Sequence, residues 1–164
     1  MKFLSFVDFY SRLLEKLMLA ILVVMLISML IMILGRYIPF IPPFLWTIEV
    51  VQFGMIWMIF LGAALAVRQK GHFFLDVVPA KYEKTFAKAL YLVYAAAIIA
   101  FSYVYTVFGY LYFKDWSLVQ TSEIMYINMG IVYFSVPLCG LNCFLFLAAE
   151  LVEKRLGIER KVPK

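Results

Sequence analysis

The stretch WTIEVVQFGMIWMIFLGAALAVR, from Trp46 to Arg68, decides the fold of this chain. Between Glu49 and Arg68 lie 18 residues, interrupted by a single amide, Gln52. At about 1.5 Å per residue these residues cover roughly 27 Å, close to the ~30 Å hydrocarbon core of a bilayer. The stretch therefore predicts a transmembrane helix with a charge at each end.

The two terminal charges of this helix differ in what they require. A carboxylate costs about 2.5 to 3.5 kcal/mol at the centre of a membrane helix, whereas an arginine stem can reach toward lipid headgroups. We therefore expect Glu49 to need a partner and Arg68 to need none.

The composition of the whole chain agrees with a membrane protein. Of its 164 residues, 66% are hydrophobic, and the mean hydropathy is +0.96, which excludes a water-soluble domain of this length. The net charge of +5 comes from basic clusters beside apolar segments, so anionic lipid is a nearer partner than nucleic acid. Cys139 and Cys143 fall four apart in an apolar segment and are expected to be free core residues.

Three further apolar segments predict an all-α integral membrane protein, a single four-helix membrane domain over residues 1–164. Residues 1–16 show apolar side chains at helical spacing and predict an amphipathic interfacial helix that runs into the first span. A charged tail, 150–164, follows the last span. The predicted spans are about 17–35, 46–67, 89–113 and 124–149.

The connections between spans are marked by helix-breaking and helix-capping residues. Pro39, Pro42 and Pro43 predict a turn between the first and second spans. Ser122 is a candidate N-cap for the fourth span. Pro137, inside that span, predicts a kink that faces protein, because in lipid the freed backbone carbonyl must find another partner.

The basic residues also predict the orientation in the membrane. Thirteen of the 15 Lys and Arg residues fall in the N-terminal segment, the second loop and the tail. The other two, Arg36 and Lys114, fall in the first and third loops. By the positive-inside rule both termini are cytoplasmic, and the first and third loops face outward.

Few residues could carry chemistry, and we expect no catalytic, cofactor or metal site in this chain. A haem held by two histidines is excluded because His72 is the only histidine. His72 and Asp76, four apart, make a weak metal pair, and we interpret them as polar contacts in the second loop. Glu49, at the edge of the membrane, is either a functional site or, as we favour, a structural ion pair with Arg36. Gln52 could add an interhelical hydrogen bond.

Small residues indicate where helices pack closely. Gly54 and Gly62, with Met58 and Ala66, form one face of the second span. Alanines in the third span, at 95, 96, 97 and 100, permit close approach of a neighbouring helix.

Taken together, these features resemble the small membrane subunit of tripartite ATP-independent periplasmic (TRAP) transporters, the DctQ or SiaQ type. The resemblance covers nearly the whole chain. One departure is that family members often show two adjacent acids where this chain has Ile48 before Glu49. The resemblance is based on the amphipathic N-terminus, the four helices and these residues: Arg36, Trp46, Glu49, Arg68, Gly71, His72 and Asp76.

The resemblance implies a secondary transporter in the bacterial inner membrane that imports an organic acid such as sialic acid or a C4-dicarboxylate. Its partners would be a large membrane subunit, which moves the solute in an elevator-like motion coupled to sodium, and a periplasmic solute-binding protein. This chain would be a scaffold that needs no cofactor of its own. The residues expected at interfaces are Arg36, Trp46, Glu49, Gln52, Arg68, His72 and Asp76, and those expected to help dock the binding protein are Lys114, Asp115, Trp116, Gln120 and Glu123.

Two alternatives come from other functional classes. A self-sufficient four-helix exporter would use Glu49 for proton exchange, but Glu49 lies near the end of its helix and not at the midplane. A membrane anchor subunit of a redox complex would need cofactor ligands from other subunits.

Overall fold

A computed structural model describes residues 2–38, 44–69 and 83–156. Four segments of this part of the chain are long and apolar enough to cross a membrane, which confirms an all-α membrane fold with four spans. The fourth span consists of two helices in succession. The helices are α1 (Lys2–Tyr37), α2 (Trp46–Arg68), α3 (Glu83–Trp116), α4 (Gly130–Tyr133) and α5 (Ser135–Arg155).

Helix α1 is continuous over 36 residues, with no break near the predicted boundary at residue 16. It contains no proline and many strong helix formers, so nothing in its sequence ends it before Tyr37. Leu4, Val7 and Leu14 are buried in the core of the bundle, so its first turns pack on protein along one face. The interfacial placement of residues 1–16 stays a prediction.

Helix α5 occupies the centre of the bundle. It packs against α2 on one side and α3 on the other, and α1 lies mainly against α2. Half of the most apolar stretch of the fourth span, Gly130–Arg155, is buried within the chain, compared with 17% for α2. The stretch that we expected to organise the fold is therefore not the most enclosed one. Cys139 and Cys143 lie in this core as free, buried thiols, as predicted.

Glycines set the closest approaches between helices. A Cβ added at Gly54 would lie 2.5 Å from Met25 Cγ of α1, so α1 and α2 meet closely there. A Cβ at Gly140 of α5 would lie 2.7 Å from the backbone nitrogen of Thr106 in α3. The predicted glycine face of α2 is thus used within the chain, against α1. Three alanines of α3 instead remain exposed, at 96, 97 and 100.

The fourth span begins later than predicted. Its first helix starts at Gly130 with Met129 as N-cap, so the prediction that Ser122 caps this span is wrong. Residues 117–129 form a loop, which we call the 117–129 loop. The span is interrupted at Phe134, between α4 and α5. Pro137 is buried, and its Cδ lies 3.2 Å from where a Cβ on Gly109 of α3 would be, so this proline faces protein, whereas the kink itself stays a prediction.

Candidate functional site

The two charged residues that bound α2 are both buried. Glu49 is 7% exposed and Arg68 is 4% exposed, although each was expected at a membrane edge. They are separated by about 28 Å along the helix, given a rise of ~1.5 Å per residue. Each therefore organises a different end of the bundle, and each needs its own compensation for burial.

Arg68 holds three helices together at one end. Its Nη2 donates to Asp8 Oδ1 of α1 at 2.6 Å and to Glu153 Oε1 of α5 at 2.9 Å. The side chains of Arg68 and Glu153 are 2% and 3% exposed, whereas that of Asp8 is 33% exposed. We call these three residues the Arg68 cluster. The expectation that Arg68 needs no partner is wrong, because packing of α1 and α5 around it closes the route to headgroups.

Further polar contacts surround the Arg68 cluster. Gln69 Nε2 donates to Glu15 Oε1 at 3.0 Å, which adds a second link between α1 and the end of α2. Deeper in the bundle, the Tyr10 hydroxyl donates to Asn142 Oδ1 at 2.8 Å, which joins α1 to α5. The N-terminal part of α1 is thereby fixed to the bundle by polar bonds as well as by apolar packing.

Lys154 and Tyr91 make the corresponding contact between α5 and α3. The Lys154 Nζ lies 3.2 Å from the centroid of the Tyr91 ring, a cation–π geometry. All four long helices are therefore tied together at this end.

At the opposite end, Glu49 binds backbone and not a cation. Its Oε1 accepts the N–H of Ile124 at 2.9 Å, and its Oε2 accepts the N–H of Met125 at 2.9 Å. The predicted pair with Arg36 is wrong, since no ion pair joins Arg36 to Glu49 in the part of the chain that the structure describes, and Arg36 is exposed. Hydrogen bonds from neutral donors to a carboxylate are among the strong ones, so they can satisfy a buried charge without a counterion.

The amides that Glu49 binds lie at the tip of a small hairpin within the 117–129 loop. Ser122 N–H donates to Ile127 O at 2.8 Å, and Met129 N–H donates to Gln120 O at 3.0 Å. Between these bonds, Thr121 and Asn128 form an antiparallel bridge. We call residues 120–129 the hairpin. Its turn, residues 123–126, lies over the end of α2.

The predicted docking residues cluster around this hairpin. Trp116 ends α3 and is 48% exposed, and Lys114 and Asp115 before it are exposed as well. Glu123 is exposed in the hairpin turn. Gln120 differs, because its side-chain oxygen accepts a hydrogen bond from the Tyr133 hydroxyl of α4. Four of the five are therefore free to meet a partner, whereas Gln120 braces the hairpin.

The remaining predicted interface residues are less engaged. Trp46 is 37% exposed at the start of α2 and its ring lies 6.2 Å from that of Phe44. Gln52 is exposed and makes no side-chain hydrogen bond to the residues that the structure describes, so the interhelical bond expected of it does not form within this chain. His72 and Asp76 lie outside the described residues.

The sequence reasoning missed Asp8, Glu153 and the amides of the hairpin. Asp8 lies within the predicted amphipathic segment 1–16, and Glu153 lies within the predicted charged tail 150–164. The signal that could have found Glu153 is its spacing from Glu150, which puts two acids on one face of an otherwise apolar helix. No such signal exists for backbone amides.

The described residues offer no evident place for a metal ion. Among residues 2–38, 44–69 and 83–156, no group of three or more His, Cys, Asp and Glu side chains is arranged to hold one. Of the buried charges, Arg68 and Glu153 bind each other and Glu49 binds the backbone. The arrangement is suited to fixing helices and a loop in place.

One family model matches the chain over residues 25–157, and its description is "Tripartite ATP-independent periplasmic transporters, DctQ component". No individual curated protein matches. The matched segment is well over half of the 164 residues and contains Glu49, Arg68, the hairpin and α5, whereas Asp8 precedes it. The chain belongs to the DctQ family of tripartite ATP-independent periplasmic transporter components.

Proposed function

We propose that this chain is the small membrane subunit of a sodium-coupled TRAP transporter. It braces the large membrane subunit and helps dock the periplasmic solute-binding protein. The observation that carries the proposal is the membership in the DctQ family, together with a bundle whose buried polar groups fix structure. The chain then contributes no conduit of its own, and sodium coupling resides in the large subunit.

The bracing role is supported by the outer helices of the bundle. In its most apolar stretch, α1 is only 6% buried within the chain and α3 only 11% buried. Such helices present broad apolar faces to lipid or to another membrane protein. The exposed alanines of α3, Ala96, Ala97 and Ala100, allow a partner helix to approach its backbone closely, since van der Waals packing drives association in lipid. We assign this face to the large subunit.

The docking role is supported by the chemistry of the 117–129 loop and the end of α3. Lys114, Asp115 and Glu123 supply both signs of charge around the exposed ring of Trp116. A mixture of charges around an aromatic side chain is suited to a transient interface. The charges would steer the encounter and weaken with salt, because the screening length is ~10 Å at 0.1 M ionic strength.

The proposal places the docking surface in the periplasm and both termini in the cytoplasm. This orientation is based on the distribution of the Lys and Arg residues, because only Arg36 and Lys114 fall in the first and third loops, which would face outward. The Arg68 cluster joins residues near both ends of the described chain, which supports placing those ends on one side of the membrane. The chain is then a multi-pass protein of the bacterial inner membrane.

The cargo is proposed to be an organic acid. Sialic acid and C4-dicarboxylates are the candidates that the family resemblance implies, with a slight preference for sialic acid. Nothing in this chain needs to touch the solute, so the partner proteins determine which solute is transported.

Reconstitution tests the proposal. The chain, its large subunit and its binding protein are placed in liposomes, and uptake of sialic acid and of a C4-dicarboxylate is measured with and without an inward sodium gradient. We expect sodium-dependent uptake that requires all three proteins. Proton-coupled transport by this chain alone would support the exporter, and a coloured cofactor in the complex purified with its native neighbours would support the redox anchor.

A further inference from the structure

The hairpin contains a strained turn, which two hydrogen bonds between Ser122 and Ile127 close at its base. Tyr126 has φ of +53°, in the left-handed region that side chains other than glycine rarely adopt. Its ring is 78% exposed, so packing of that ring does not hold the backbone in place. Such conformations persist only where surrounding structure enforces them. The bonds between Ser122 and Ile127 fix the base of the turn, and the two bonds from Ile124 and Met125 to Glu49, directly before Tyr126, fix its tip.

Glu49 is well placed to hold the turn because it belongs to a rigid element. It lies in the first turn of α2 and is 7% exposed, so its side chain is fixed relative to the membrane span. Ile124 and Met125 are 75 and 76 residues away in sequence. The carboxylate thus fixes the 117–129 loop, which connects α3 to α4, relative to α2.

The loop held in this way is strongly apolar at its surface. Leu118 is 87% exposed and Val119 is 75% exposed, and Tyr126 of the same loop and Trp116 just before it are exposed as well. Exposed apolar groups rimmed by charges, here Lys114 among others, are typical of a surface that a protein partner covers. Their relative placement depends on the shape of the hairpin.

We propose that Glu49 is a positioning residue for docking: from the end of its span, its carboxylate holds the hairpin in the shape that the solute-binding protein recognises. This inference rests on the proposed function, since it assumes that the loop docks that protein. It assigns to the edge carboxylate a role in recognition, distinct from ion exchange and from an ion pair between helices.

The first test compares Glu49→Gln with the unmodified chain in the complete transporter. Glutamine keeps the size of the side chain but offers one oxygen and no charge, so the two amides lose their charge-assisted bonds. We expect amide hydrogen exchange at Ile124 and Met125 to become about tenfold faster, as loss of such bonds to a charged group implies. The concentration of binding protein that gives half-maximal uptake should rise about fivefold to tenfold by the same reasoning, with maximal uptake changed less than about twofold.

A matched control removes a different polar group from the same helix. Gln52→Leu changes an exposed residue one turn further along α2. It should leave both the amide exchange of the hairpin and the half-saturating concentration unchanged. An equal effect of Gln52→Leu would overturn the assignment to Glu49.

The second test restores the hairpin by another route. Thr121 and Asn128 face each other between the bonds Ser122 to Ile127 and Met129 to Gln120, so they form a non-hydrogen-bonded pair. Such pairs have Cα atoms ~4.5 Å apart, within the range that a disulfide spans. In the Glu49→Gln background, Thr121→Cys with Asn128→Cys should return the half-saturating concentration to its original value when oxidised, and not when reduced. A purely structural role of Glu49 in folding predicts no such rescue.

The outcomes separate this inference from the proposed function. If Glu49→Gln speeds amide exchange but leaves the half-saturating concentration unchanged, the positioning role is wrong. The docking role then still stands if Trp116→Ala combined with reversal of Lys114 raises that concentration. If those loop substitutions also have no effect, the proposed docking fails as well. Unchanged amide exchange in Glu49→Gln would show that the carboxylate does not hold the hairpin.

Discussion

The Arg68 cluster allows a quantitative test of what holds the bundle together. Arg68→Met keeps much of the side-chain volume but removes the cation that lies 2.6 Å from Asp8 and 2.9 Å from Glu153. Removing one partner of a buried ion pair typically costs about 3 to 5 kcal/mol, because the other charge is left uncompensated. Here the cost falls mainly on Glu153, whose side chain is 3% exposed, whereas that of Asp8 is 33% exposed and can reach water.

The unequal exposure of the two acids fixes the pattern expected across variants. Asp8→Asn should cost less than about 1 kcal/mol, the range of partly exposed pairs. Arg68→Met should lower the melting temperature by about 6 to 20 °C, taking ~2–4 °C per kcal/mol for a chain of this size. Adding Glu153→Gln to Arg68→Met should recover part of that loss, because the buried charge that Arg68 had neutralised is removed.

The assay is thermal unfolding of the purified chain in one detergent, followed by intrinsic tryptophan fluorescence. Asp8→Asn serves as the matched control, since it removes the other link of the same cluster. The reasoning is refuted if Arg68→Met melts within about 2 °C of the unmodified chain, well under the loss that the scaling gives. It is refuted equally if the double variant with Glu153→Gln is no more stable than Arg68→Met alone.

Three other predictions follow from the packing and the charge distribution. Cysteine in place of Asp115 should react with an impermeant thiol reagent from the periplasmic side and cysteine in place of Lys84 should not; the reverse pattern would contradict the orientation. Gly140→Ala should cost about 1 to 3 kcal/mol by overpacking, since its Cβ would lie 2.7 Å from a backbone nitrogen of α3, whereas Gly62→Ala, with its nearest contact at 3.4 Å, should melt almost unchanged. Ala97→Trp should lower the yield of complex with the large subunit while the isolated chain keeps its melting temperature, and an undiminished yield would remove this face from the interface.

The four spans could be predicted from the sequence because hydrophobicity over about 20 residues is a local property. Arg68 shows where that reasoning stops. Its position at the end of one helix predicts that the side chain reaches lipid headgroups, but its partners are Asp8 and Glu153, which lie 60 and 85 residues away in sequence. Which charges meet depends on how α1 and α5 pack around α2, and single-helix hydropathy does not carry that information.

The start of the fourth span illustrates a second limit. Residues Ile124 to Met129 are mostly apolar, so hydropathy alone extends the helix back to Ile124. In the structure their backbone groups bond within the hairpin and to Glu49, and the helix begins at Gly130. Ser122 does accept a backbone N–H, that of Ile127 at 3.1 Å, but it stabilises a hairpin and not a helix start. The prediction that Glu49 needs a partner is confirmed, but its partners are backbone amides about 75 residues away, which the sequence alone does not identify.

The central place of α5 also determines the order in which this protein can be completed during synthesis. Helices α2 and α3 follow each other in the chain, yet α5 lies between them, and their direct contact is made by the rings of Phe60 and Tyr105. When the ribosome has delivered the first three spans, α1 and α2 can pair, but α3 can make only the ring contact with α2. The fourth span must therefore insert between two spans that precede it, and until it does, α3 is the segment most dependent on lipids or an insertion chaperone.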